Sequence, residues 1–151
     1  MGAQSTIQPR PRKARPVAFN AATLPLPLYT SRIAAGFPSP ADDHLEAPLD
    51  LNEHLVKHPA ATFVVKVDGD SMTGAGIYNG DLLVVDRSLE AKSGSIVVAV
   101  VNGELTVKRL VIERRRARLI PENPAYKPIE VRDGLDLVIW GVVAHVIRSY
   151  G

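Results

Sequence analysis

The sequence predicts a mostly β protein, with curved sheets closing around one core, one short helix and an extended N-terminal arm. Three observations carry that expectation. From residue 62 onward the apolar residues come in short runs rich in Val and Ile, which favour strands over buried helices. Two Asn-Gly pairs interrupt those runs, at 79–80 and 102–103, and Asn-Gly is the signature of a tight turn. Seven of the 12 prolines lie within the first 40 residues, where each removes a backbone donor and together they prevent a regular helix.

In chain order, residues 1–35 read as a flexible, Pro-rich arm. The arm is also basic: Arg10, Arg12, Lys13, Arg15 and Arg32 stand without an acid, giving +5. The remaining residues hold 13 basic and 16 acidic side chains, or −3, so the pI near 9.0 belongs to the arm. A basic stretch such as "RPRKAR" can attract nucleic acid, although a short solvated tail often has no such role. "LPLPLYTSRIAAGF" is too apolar for a spacer and reads as a segment that docks as a strand. "DLNEHLVKHP" then offers Asp50 as an N-cap with Glu53 three residues on, and Pro59 as a stop, which fits one short helix.

Strands follow at 62–67, 82–86, 95–101, 104–112, 117–120, 129–131 and 137–147. Asn102-Gly103 joins two of them as a two-residue hairpin. "ERRRAR" (113–118) reads as a solvated turn, with Arg114–Arg116 as an alternative contact for DNA or a partner. No internal repeat is present.

The chain of 151 residues can bury one core. It has no Cys, which excludes disulfides and thiol catalysis and suits a reducing compartment. No apolar run reaches the ~18 residues that span a bilayer, and no signal-peptide core is visible. The expectation is a cytoplasmic protein without a membrane role.

The candidate chemistry centres on Ser71 in "VKVDGDSMTG". The simple reading is a turn residue, since Gly, Asp and Ser favour turns. The alternative is a nucleophile, which needs a base because a serine hydroxyl is protonated at neutral pH. No local arrangement pairs a histidine with an orienting carboxylate, and "GDSMTG" does not match the G-x-S-x-G elbow. Lys108 in "ELTVKRLVI" is the other candidate base, because it shares a strand face with Thr106, Leu110 and Ile112. Burial lowers a lysine pKa by up to ~3–5 units, and a drop from ~10.4 to ~7 costs about 4–5 kcal/mol. Alternation equally permits Lys108 to face solvent with Val107 and Val111 inside, which suits a residue rarely buried. His54 and His58, spaced i, i+4, could place two metal ligands on one helix face, but the HExxH glutamate is absent. No metal or cofactor is expected.

An ordered series of motifs adds a resemblance. "GFPSP" (36–40), "DLN" (50–52), "HP" (58–59), "GDSM" (69–72), "GDLLVVD" (80–86), "TVK" (106–108), "PENPAYKPI" (121–129) and "GVVAHV" (141–146) are similar to the UmuD/LexA family of self-cleaving serine–lysine peptidases. The likeness covers residues 32–148. It implies a β-rich peptidase domain at 36–151 that cuts off its own arm, 1–35. Carried over by position, Ser71 is the nucleophile, Lys108 the general base, and Ala35–Gly36 the cut. Backbone N–H groups of Ser71 and Asp70 would hold the oxyanion. For partners, the resemblance implies a homodimer, a UmuC-like error-prone translesion polymerase (the DNA polymerase V system) and the RecA nucleoprotein filament, which promotes cleavage in the SOS response to DNA damage. DNA contact would be mainly indirect. A LexA-like or phage-type regulator binding DNA is the alternative, but the proline-rich arm leaves no room for two packed helices. A signal-peptidase relative acting on other chains would share the serine–lysine chemistry.

Overall fold

Asn102 and Gly103 both adopt left-handed backbone, with φ of 49° and 83°, and close a two-residue hairpin between Val101 and Glu104. That is the geometry for which Asn-Gly is suited, because it matches the right-handed twist of the flanking strands. In this computed structural model the described residues are 23–29, 33, 35–36, 45–132 and 137–151. They fall into two compact units, one within Phe19–Lys57 and one formed by His58–Gly151. "RPRKAR", Ala34 and most of "GFPSP" lie outside the described residues.

In the smaller unit, β1 (Pro25–Leu26) pairs antiparallel with β2 (Leu49–Asp50). Tyr29 bridges to Leu45, and the Glu46 N–H donates to the Leu28 carbonyl at 2.8 Å. The "LPLPLY" segment therefore does pair as a strand, with the segment that leads into the helix. Helix α1 (Leu51–Leu55) begins at Asp50, whose carboxylate accepts the Asn52 N–H at 2.9 Å. The helix is shorter than "DLNEHLVKHP" suggested. It ends at the extended Val56, and Pro59 opens a separate 3-10 turn, Pro59–Ala61. A helix of this length cannot recover the cost of nucleation by itself.

The larger unit is one seven-stranded antiparallel sheet. Its strands are β3 (Thr62–Lys66), β4 (Leu82–Asp86), β5 (Ile96–Val101), β6 (Glu104–Glu113), β7 (Arg116–Ile120), β8 (Ile129–Glu130) and β9 (Leu137–Ile147). The spatial order is β3-β4-β9-β5-β6-β7-β8, so β9 returns to lie between β4 and β5. Its pairing shifts register against both neighbours, skipping Ala144 opposite β4 and Trp140 opposite β5. Such bulges strengthen the local twist and bend the sheet.

The interior consists of two clusters, where one was expected. Val98 and Val100 of β5 join Val85, Leu83, Met72, Ile77 and Trp140, and Trp140 packs edge-on against Phe63. Val97 and Ala99 of the same strand join Leu110 and Leu119. β5 is thus covered on both faces, which is why "IVVAVV" shows no polar alternation. Among the described residues no helix is long and apolar enough to cross a membrane.

Gly141 sits where β9 passes β4. A Cβ there would lie 2.8 Å from a Val85 methyl and 3.0 Å from the Asp86 carbonyl oxygen. Gly141→Ala should destabilise the protein by about 1–3 kcal/mol through this overpacking. Urea unfolding is the check, and an unchanged midpoint would contradict the close packing.

Candidate active site

The segment between β3 and β4 carries "GDSMTG", and its shape follows from a few strong contacts. Val67 and Asp81 close its base, with the Val67 N–H donating to the Asp81 carbonyl and the Gly80 N–H to the Val67 carbonyl, both at 2.8 Å. The buried Asp81 carboxylate accepts the Tyr78 N–H at 2.8 Å and two Arg148 nitrogens at 2.8 and 2.6 Å. Hydrogen bonding to Arg148 holds the Asp81 carboxyl below its usual range. A buried carboxylate matched on both oxygens is compatible with the interior, whereas an unpaired one is not. Arg148 also donates to the Gly76 carbonyl at 2.7 Å and lies over the Tyr78 ring, 4.3 Å from its centre.

Within this frame Met72, at 1% exposure, plugs the core and anchors the turn. Ser71, one residue earlier, is half-buried on the other side. Lys108 projects from β6 and donates from Nζ to Ser71 Oγ at 2.9 Å. The same Nζ donates to Thr106 Oγ1 at 2.8 Å and to the Val107 carbonyl at 3.0 Å. Lys108 is 8% exposed and Leu110 is 3%, so the face carrying Thr106, Lys108 and Leu110 is the buried one. The outward orientation open at the sequence level does not occur. Burial lowers the Lys108 pKa from its ordinary value, because the ammonium loses hydration that no carboxylate among the described residues replaces.

The pair lies in a groove of about 300 Å³. Val65, Lys66, Val67 and Asp68 form one wall, Leu105 to Lys108 the other, and Leu83 and Val98 contribute apolar lining. Among the described residues, the Asp70 and Ser71 N–H groups donate to no other group. The arrangement therefore combines a hydroxyl, an amine that burial shifts toward its neutral form, and free backbone donors, which are the requirements for acyl transfer.

A family model for Peptidase S24-like proteins matches residues 27–144. The chain belongs to the S24 peptidase family. It is a serine peptidase that cleaves itself. Among the relatives of this S24 peptidase, MucA from Escherichia coli is 48% identical over 126 residues, covering 83% of this chain and 86% of MucA. SamA from Salmonella typhimurium is 49% identical over 123 residues, covering 82% and 85%. The LexA repressor of Xylella fastidiosa is 43% identical over 120 residues, covering 78% of this chain and 55% of the repressor. MucA and SamA are UmuD-family homologues, in line with the resemblance read from the motifs.

The remaining candidate residues are distributed as follows. Ala35 and Gly36 are exposed in a bend of the smaller unit. His54 and His58 do not share a helix face, because α1 ends at Leu55. His58 does have a carboxylate partner, one that is not local in the sequence: its Nδ1 lies 2.6 Å from Asp86 Oδ2. The nearby hydroxyl of Ser88 donates to Asp86 Oδ1 at 2.6 Å, not to the imidazole, so this trio does not activate a serine. Arg114, Arg115 and Arg116 are exposed at the β6–β7 turn, where Arg114 and Arg115 take φ of 49° and 64°. Sequence reasoning placed Thr106 on the strand face of Lys108 without giving it a role, and it missed Glu122, Asn123 and Tyr126, whose signal was membership of "PENPAYKPI".

Proposed function

We propose that Ser71 attacks the Ala35–Gly36 peptide bond with Lys108 as general base, releasing residues 1–35. The observation that carries this reading is the 2.9 Å contact between a buried Lys108 Nζ and Ser71 Oγ. A neutral amine has two hydrogens and one lone pair. The Val107 carbonyl and Thr106 Oγ1 receive the hydrogens, which leaves the lone pair for the Ser71 proton.

In the first step Ser71 Oγ bonds to the Ala35 carbonyl carbon as its proton passes to Lys108 Nζ. The resulting oxyanion is held by the free N–H groups of Ser71 and Asp70. Collapse breaks the bond to Gly36, whose nitrogen takes the proton back from Lys108. Water, deprotonated by Lys108, then hydrolyses the Ala35 ester and regenerates Ser71. Small residues at the cut suit this site, since Ala35 and Gly36 add almost no bulk beside the nucleophile. The wall Val65–Asp68 continues an edge strand, against which an extended peptide can pair.

The retained body, 36–151, changes from a chain of +2 to one of −3. The relatedness to UmuD-family proteins supports a role for this body as a cytoplasmic homodimer that serves a UmuC-like error-prone polymerase, with cleavage promoted by the RecA filament on single-stranded DNA. Purified protein held at alkaline pH should yield a single new N-terminus at Gly36. Gly36→Glu should block the cut by placing a charged side chain beside the nucleophile. Mass spectrometry locating the main cut elsewhere would refute the assignment.

A further inference from the structure

The segment Glu122–Tyr126 touches Ser71 directly and reaches Arg109, the neighbour of Lys108, although it contains neither member of the dyad. The Glu122 N–H donates to the Ser71 carbonyl at 2.8 Å, and the Gly74 N–H donates to the Glu122 carbonyl at 2.7 Å. Asn123 Nδ2 donates to the Asp70 carbonyl at 2.9 Å, and the Tyr126 hydroxyl donates to the Asp70 carboxylate. On the other side, the Glu122 carboxylate accepts Arg109 Nε at 2.5 Å, and Arg109 follows Lys108 on β6. A side chain at position 74 would meet the Glu122 carbonyl oxygen at 2.6 Å, so the two segments are in close backbone contact.

A peptide unit is planar and, when trans, its C=O and N–H point in opposite directions. The described chain has no cis bond. Anchoring the Asp70 carbonyl through Asn123 therefore aims the Ser71 N–H away from Asn123. Anchoring the Ser71 carbonyl through the Glu122 N–H fixes the following peptide unit as well. With both flanking units held, the nucleophile's backbone has little freedom left.

We infer that Asn123 and Tyr126 are positioning residues for self-cleavage, holding the Asp70–Ser71 peptide unit so that its N–H faces the developing oxyanion. This rests on Ser71 being the nucleophile. The local geometry suits the task. Asn123 Oδ1 accepts the Ala125 N–H at 3.0 Å, which leaves the amide nitrogen directed at Asp70. The hydrogen bond to Asp70 also raises the Tyr126 pKa, which favours the protonated phenol that donates to Asp70, whereas burial lowers the pKa of Lys108.

The test uses full-length protein incubated between about pH 7 and pH 11, a range that brackets lysine titration. Asn123→Asp keeps an oxygen for the Ala125 N–H but replaces the amide donor by a carboxylate, which repels the Asp70 carbonyl. Its alkaline plateau rate should fall about 100-fold, the scale of a misplaced reacting group. The pH midpoint of the rate and the thermal unfolding midpoint should both stay at the wild-type values. A wild-type plateau would overturn the inference. So would a loss that disappears at higher pH, because Asn123 would then act on Lys108 ionisation and not on the oxyanion donor. Should Asn123→Asp fail to fold, Tyr126→Phe carries the test: it removes one hydroxyl, and its plateau should drop about tenfold with the midpoint unchanged. A wild-type plateau there would overturn the inference equally. Cleavage that persists in Ser71→Ala would instead refute the nucleophile assignment, a separate outcome.

Discussion

Ser71→Ala should slow self-cleavage by about four to six orders of magnitude, the scale seen when a serine peptidase loses its nucleophile. Lys108→Ala and Lys108→Met should slow it by a comparable factor. The double variant should be no slower than either single one, because nucleophile and base act as a unit. The fold should survive the Ser71 change, since Ser71 is half-buried and Met72 supplies the core anchor beside it. His58→Ala removes the contact with Asp86 and should leave cleavage intact, because the Ser88 hydroxyl in that cluster points to the carboxylate. The measurement is the fraction of intact chain against time by mass spectrometry. A rate near wild type in Ser71→Ala, or full loss in a folded His58→Ala protein, would assign the chemistry to other residues.

The second large effect is on pH. Below the lowered Lys108 pKa only a small fraction of the amine is neutral, and that fraction grows tenfold per pH unit. Unaided self-cleavage should therefore rise about tenfold per unit and then level once Lys108 is neutral. The same titration links to stability. Between the folded pKa and the ordinary value of 10.5, the unfolded chain binds more protons at Lys108 than the native one. Stability therefore increases with pH across that window, and below it the cost of the buried ammonium is carried in full. In a Ser71→Ala background, which prevents processing, adding Lys108→Met should raise the unfolding temperature at neutral pH. The difference should shrink as pH approaches 10.5. A rate that plateaus below neutral pH, or a gap that widens with pH, would contradict a destabilised lysine cation.

Several features could be read without any structure because their causes are local. Asn102-Gly103 makes its turn from two residues able to hold left-handed backbone, and the result is the hairpin expected. The Val- and Ile-rich runs became strands within about one residue of the expected ends, since β-branched side chains favour extended backbone wherever they are buried. The α1 boundary was less legible. Asp50 does cap it, but its end depends on Val56 turning extended, which the run "DLNEHLVKHP" does not specify. The contact between His58 and Asp86 spans 28 residues, so no local pattern announces it.

The dyad divides in the same way. The sequence by itself supplied a serine in a Gly-bounded turn, a lysine in a strand, and the ordered motifs that identify a family. Alternation left two faces for Lys108, and the usual preference of lysine for water favoured the wrong one. Only the tertiary structure decided the matter. β6 stands four places from β3 in the sheet, about 19 Å away if the strands lay flat. The curl introduced by the β9 bulges, together with the turn anchored by Met72, brings Lys108 Nζ to 2.9 Å from Ser71 Oγ. Thr106 and the Val107 carbonyl then satisfy the amine that the fold has withdrawn from water. Strand propensity acts between neighbours in the chain, whereas the burial of a charge depends on which distant segments close over it.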